Sequence, residues 1–152
     1  MEYISSKQES GCFFCQALAA DPSEDAANLV VWRPEGALVM LNRFPYNNGH
    51  LMVAPSAHVP SLVDLSDEQS QELMSAVKRS LRVLEGELGP EGFNVGVNQG
   101  KVAGAGVPDH VHVHVVPRWN GDTNFMPVLG EVKVISEHLQ RSWEKLRRAF
   151  SA

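Results

Sequence analysis

Cysteine is scarce in this chain, with only Cys12 and Cys15 among 152 residues, so no disulfide framework can be built. Their C-x-x-C spacing, in a chain without an export signal, points to metal or redox chemistry rather than to a structural bridge. Long apolar runs are absent as well: none approaches the roughly 20 residues of a membrane helix. The N-terminal stretch MEYISSKQESG has no apolar signal-peptide core, which makes a cytoplasmic location the expectation. Positive charge is in deficit, with 13 Lys and Arg against 18 Asp and Glu and a net charge of -5. That excludes the broad basic surface of a nucleic-acid binder. It leaves room for a phosphate ligand, because a few local donors suffice for one phosphate chain. Repeats and long linkers are missing, so a single domain over residues 1–152 is expected, with 1–11 polar and flexible.

What is present is ordinary core material, 43% hydrophobic and 20% charged. A short helix is expected over Phe13 to Ala20, ended by Asp21-Pro22. Leu29 to Trp32 and Ala37 to Leu41 read as strands around the turn Arg33-Pro34-Glu35-Gly36. Tyr46-Asn47-Asn48-Gly49 is a second turn, before a strand over His50 to Ala54. Ser66-Asp67-Glu68-Gln69 fits a capping box that opens the longest helix. Leu73, Val77, Leu81, Leu84 and Leu88 would form its buried stripe, and Gly89-Pro90 would stop it. Phe93 to Val97 reads as another strand. Ser136 is expected to cap a last helix with Leu139, Trp143, Leu146 and Phe150 on one face. Strands then a helix, and strands then a helix again, favour an α+β fold on an antiparallel sheet over alternating βαβ units.

The segment His110-Val111-His112-Val113-His114-Val115-Val116 alternates strictly. As a strand it would project three imidazoles from one face, roughly 7 Å apart, with valines on the other. Pro117 would end it. Nothing in β propensity selects histidine, and the glycine-rich loop Gly100 to Gly106 stands just before it, which argues against a merely solvated face. On these residues alone a metal site built on H-x-H and a nucleophilic histidine both remain open.

The alternating histidines, written H-φ-H-φ-H-φ-φ with φ apolar, resemble the signature of the histidine-triad (HIT) family. The resemblance runs from Cys12 to about Arg118. It includes Cys12-Phe13-Phe14-Cys15, Leu41-Asn42-Arg43-Phe44-Pro45, Asn48-Gly49-His50 to Pro55, and Asn98-Gln99-Gly100. Gln99, Pro117-Arg118, Trp119 and Gly121-Asp122-Thr123-Asn124-Phe125 make the chain more similar to the Fhit-like and diadenosine-tetraphosphate phosphorylase branches than to the Hint branch. The Hint-type C-terminal Trp-Pro-Pro is absent.

The resemblance implies a sheet of about five strands with one long and one C-terminal helix, assembled as a two-fold homodimer. It implies that His112 attacks the α-phosphate of a nucleotide, giving a nucleotidyl-imidazole that a second acceptor resolves. His114 would contact phosphate oxygens, His50 and Gln99 would hold the phosphate and position the leaving group, and Asn42 would bind ribose. Gly104 and Gly106 would offer backbone N–H groups and Lys101 a positive charge to the phosphates. Zinc-bearing relatives add a histidine after the His50 strand and the first triad histidine to the cysteine pair. That makes Cys12, Cys15, His58 and His110 a structural zinc set here. Magnesium is expected only as a companion of the polyphosphate. One departure stands out: Val107 occupies a position where many relatives carry Ser or Thr against the scissile bridge.

A hydrolase that splits dinucleoside polyphosphates is therefore the leading expectation, with a phosphorylase as the alternative that differs only in its acceptor. A zinc-stabilised nucleotide-binding module with little turnover, and an enzyme that uses the triad as metal ligands, are the readings from other classes. Trp119 could stack on a base or pack, Arg118 and Lys101 could serve phosphate or solvent, and His138 reads as surface.

Overall fold

The computed structural model describes residues 11–123 and 137–152. Residues 1–10 of the expected flexible terminus, the Ser136 cap and Asn124-Phe125 lie outside the described residues.

Helix α1 (Phe13–Ala19) and a single turn α2 (Asp25–Asn28) lead into strands β1 (Val30–Trp32), β2 (Ala37–Leu41) and β3 (Leu51–Pro55). The long helix α3 (Asp67–Leu88), strands β4 (Gly92–Val97) and β5 (Val113–Arg118), and helix α4 (Leu139–Ser151) follow. The strands make one five-stranded sheet in the order β1-β2-β3-β5-β4. Every neighbouring pair is antiparallel, which is the expected α+β architecture. Among the described residues no helix is long and apolar enough to cross a membrane.

Alternation along the strands gives the sheet two unlike faces. On one, Val31, Val39, Leu41, Leu51, Val53, Val113 and Val115 meet Leu73, Val77 and Leu84 of α3 and Leu146 and Phe150 of α4. Each such side chain stabilises the fold by about 1.5–3 kcal/mol. On the other, Val30, Leu38, Met40, Met52 and Ala54 are covered by Phe14 and Ala17 of α1. β4 lies at the sheet edge and leaves Asn94 and Gly96 exposed, so this second face is open beside β5.

The capping box forms as expected. Gln69 N–H donates to Ser66 Oγ at 3.1 Å, and Ser66 N–H to Gln69 Oε1 at 2.9 Å. Leu81 and Leu88 border the α3 stripe rather than fill it. Gly49 takes φ 75°, and a Cβ there would run into the side chains of Leu88 and Leu84. Only glycine lets the chain turn this close to α3 and deliver His50 to the start of β3.

Three local expectations are corrected. The histidine strand begins at Val113 rather than His110, because Val111 N–H bonds to Val59 O in a loop and not to a strand. Pro117 does not end it; the strand continues to Arg118. Pairing with β3 stops at Leu51 opposite Val115, so on that flank there is no ladder bond for a proline to break. The residue that caps α4 is His138, whose Nδ1 accepts from Gln140 N–H at 3.3 Å. It is a cap rather than an idle surface histidine within the helix.

Candidate active site

His112 is 4% exposed. Its Nδ1 lies 2.9 Å from the backbone oxygen of His110. A carbonyl only accepts, so Nδ1 carries the proton and Nε2 keeps its lone pair. Burial pushes the His112 pKa below the ordinary 6.5, partly offset by that same backbone bond. The ring is thus neutral at physiological pH, with a fixed tautomer.

The neighbouring ring is ordered by the same logic. Tyr46 N–H donates to His50 Nδ1 at 3.1 Å, which leaves His50 Nε2 protonated. That nitrogen donates to His114 Nδ1 at 2.8 Å, which leaves His114 Nε2 as the protonated nitrogen. Burial, then the nearby His114 and His112, push His50 down to about 3. Burial and His112 take His114 down to about 4. The rings of His112 and His114 stand 4.9 Å apart, edge to face, closer than the 7 Å of an ideal strand repeat, because His112 precedes the regular strand.

A lone pair and an N–H donor therefore sit side by side. Both rings line a cavity of about 340 Å3, within the usual size of a small-molecule site. Phe13, Leu29, Met40, Phe44 and Met52 give it apolar walls, and Asn42, Gly104, Gly106 and Val107 complete it. Asn42 Oδ1 accepts from Phe44 N–H at 2.9 Å, which leaves the amide N–H groups of Asn42 for a ligand. No carboxylate is among the described lining residues, so nothing there holds a magnesium ion of its own.

The structure gathers His112, His114, Asn42, Gly104 and Gly106 at this cavity and does not gather the rest. His50 is fully buried with both ring nitrogens engaged, by Tyr46 N–H and by His114, so it stands behind His114. Gln99 is exposed, and its Oε1 accepts from Leu62 N–H at 2.7 Å and Ser61 Oγ–H at 3.3 Å. Lys101 is exposed and lines no described cavity near the triad. Gly104 lines the cavity, with its N–H donating to Lys101 O at 3.0 Å. Trp119 borders a different hollow with Leu88 and His138. Sequence reasoning missed Tyr46, seen only as a turn residue. Its N–H sets the His50 tautomer, and its ring stacks on His114 at 5.9 Å. Met40 and Met52 were missed because strands apolar on both faces carry no mark of which face is the site.

A second cluster lies beside the first. Cys12 and Cys15 sit one turn apart at the start of α1, so both sulfurs point the same way. Cys12 Sγ is 3.4 Å and Cys15 Sγ 3.6 Å from His110 Nδ1; Cys15 Sγ to His58 Nδ1 and His58 Nδ1 to His110 Nδ1 are each 3.2 Å. His110 Nε2–H donates to Pro55 O at 2.8 Å, which frees Nδ1 as a lone-pair donor. Zinc bound tetrahedrally at about 2.0–2.1 Å from nitrogen and 2.3 Å from sulfur would set its ligands roughly 3.3–3.8 Å apart. The four donor atoms, all within 4.8 Å of one another, fit that ion in both type and spacing. Phe14, between the cysteines in sequence, lays its ring 5.1 Å from His110 and 4.9 Å from His112. His110 thus offers its side chain to the Cys/His cluster and its carbonyl to the His112 proton.

Residues 23–121 match the HIT domain family. An AP-4-A phosphorylase of Mycobacterium tuberculosis is 47% identical over 116 residues, covering 76% of this chain and 60% of that protein. The chain therefore spans about 60% of the length of that relative. An asymmetrical bis(5'-nucleosyl)-tetraphosphatase of Schizosaccharomyces pombe is 34% identical over 93 residues, 61% of this chain and 50% of the relative. Among solved structures, a Zn-bound histidine triad family protein from Mycobacterium smegmatis superposes with a TM-score of 0.66 at 29% identity, covering 81% of this chain and 84% of its own.

Proposed function

Since the chain belongs to the HIT domain family, we propose that it cleaves dinucleoside polyphosphates at an α-phosphate through a nucleotidyl-His112 intermediate. The observation that supports this reading is the His112 Nδ1–H bond to His110 O, which leaves Nε2 bare on a ring that lines the cavity. One nucleoside lies in the apolar slot, with its ribose at Asn42. His112 Nε2 attacks phosphorus as the bridging P–O bond breaks, and the departing polyphosphate leaves with the electron pair. His114 Nε2–H donates to a non-bridging oxygen, where negative charge accumulates. His50 is a positioning residue that holds the His114 tautomer.

Water as acceptor gives a hydrolase, and phosphate gives a phosphorylase. The 47% identity to a protein named as an AP-4-A phosphorylase favours the second acceptor. Diadenosine tetraphosphate incubated with and without inorganic phosphate separates them. AMP plus ATP marks hydrolysis, ADP plus ATP marks phosphorolysis, and intact substrate in both tubes contradicts the reading.

Cys12, Cys15, His58 and His110 would hold zinc, whose chemistry here is structural: four protein ligands leave no position for substrate. Elemental analysis should find one zinc per chain. A homodimer joined through β4 is supported by that strand's place at the sheet edge among the described residues and by exposed Val63, Val95 and Val102. Sedimentation at twice the chain mass is the expected result.

A further inference from the structure

Two cavities meet at His114. Beyond the slot already described, a second hollow of about 390 Å3 continues past Tyr46 and His114 along β5 to Val116 and Arg118, with Asn94, Gly96 and Asn98 along its far side. It lies on the same open face of the sheet, and nothing in the reaction as described uses it.

Its chemistry differs from that of the first. Among its described lining residues the one formal charge, on Arg118, is already neutralised. Arg118 forms a two-pronged ion pair with Asp122, Nε to Oδ2 at 2.8 Å and Nη2 to Oδ1 at 2.9 Å, and donates from Nη1 to Asn94 Oδ1 at 2.7 Å. Asp122 Oδ2 also accepts from Asn47 Nδ2 at 2.7 Å. What its described lining leaves for a ligand is uncharged: the amide of Asn98, which has no hydrogen-bond partner among the described residues, and the Tyr46 ring, while the Thr123 hydroxyl donates to Asp122 Oδ1 at 3.3 Å. Among the described residues that line it, a phosphate would find no free cation. A nucleoside, apolar on its faces and rich in donors and acceptors at its edges, matches both the lining and the volume.

Direction agrees with chemistry. In-line displacement puts the departing oxygen opposite the attacking nitrogen. His112 stands at one end of the histidine pair, and β5 runs from it past His114 into the second hollow. Accepting that His112 is the attacking group, we propose that this cavity seats the distal nucleoside of the departing half, so that the protein selects substrates carrying a nucleoside at both ends.

The test compares diadenosine tetraphosphate with adenosine 5'-tetraphosphate, which has the same reacting phosphate and lacks only the distal nucleoside. Both are assayed with inorganic phosphate present. Wild-type kcat/KM should favour the dinucleotide by about tenfold or more. Asn98→Leu removes the open amide. Gly96→Val adds bulk where a Cβ meets nothing within 4 Å, so the fold tolerates it. Each should lower the selectivity ratio several-fold. A wild-type ratio near one, or a ratio unchanged in both folded variants, overturns the proposal. Turnover of neither nucleotide, with no adduct on His112, would remove the reaction itself and the second seat with it.

Discussion

In the proposed reaction His112 would owe its nucleophilicity to a hydrogen bond and not to a charged neighbour. Because Nδ1–H is held by a backbone carbonyl, the attacking nitrogen needs no deprotonation at neutral pH. His112→Ala should lower kcat/KM by at least about a thousandfold while leaving the circular dichroism spectrum unchanged. His50→Phe keeps a ring of similar size and loses the bond to His114. It should lower kcat by roughly 10–100-fold, as losses of an orienting partner do, with KM near the wild-type value. A large rise in KM instead would place His50 against substrate. The same histidines set a pH dependence. His50 and His114 hold folded-state values of about 3 and about 4 against 6.5 in the unfolded chain. In that interval the unfolded chain binds protons that the folded one refuses, so stability rises with pH there. The urea midpoint should be highest above pH 6.5 and fall as pH drops toward 4; a flat profile would mean that these rings are not buried neutral.

At the scale of elements, α1 and the histidine segment act as one unit. Cys12 and Cys15 on α1 meet His58 and His110, and Phe14 from the same turn wedges against His110 and His112. Removing a ligand should disturb the carbonyl that orders the nucleophile. Cys12→Ser is expected to lose bound zinc, lower Tm, and reduce kcat about tenfold or more; full zinc content in that variant would exclude Cys12 as a ligand. By contrast, Ser66→Ala at the α3 cap should cost about 1 kcal/mol of stability with activity retained, since α3 lies on the face away from the site. Elements with a periodic or capped sequence were legible: the α3 stripe, its capping box and the β1–β2 turn all emerge from spacing alone. The start of β5 was not, because the valine alternation of His110 to Val113 looks the same whether the backbone pairs with a strand or loops toward Val59. Ser136 was a plausible cap, but a histidine two residues later supplies the acceptor.

For the molecule as a whole, chemistry collects on one face of the sheet and stability on the other. α3 and α4 bury the aliphatic face, which leaves the opposite face, half covered by α1, free to hold the Cys/His cluster, His112 and two cavities. Which histidines belonged together was legible from their alternation and from the family resemblance. The division of His50, fully buried behind His114, from the substrate side was not, because sequence spacing carries no depth. Gln99 shows the same limit: its motif neighbour Asn98 lines the second hollow, while its own side chain is taken by the Ser61 hydroxyl and the Leu62 N–H.

Mass spectrometry of the protein mixed with diadenosine tetraphosphate and acid-free quenched within milliseconds to seconds probes the proposed attack itself. A single adenylyl adduct, mapped to His112 and absent from His112→Ala, is the predicted result. An adduct on another residue, or turnover in which no adduct forms while His112 can be replaced without loss, would contradict it.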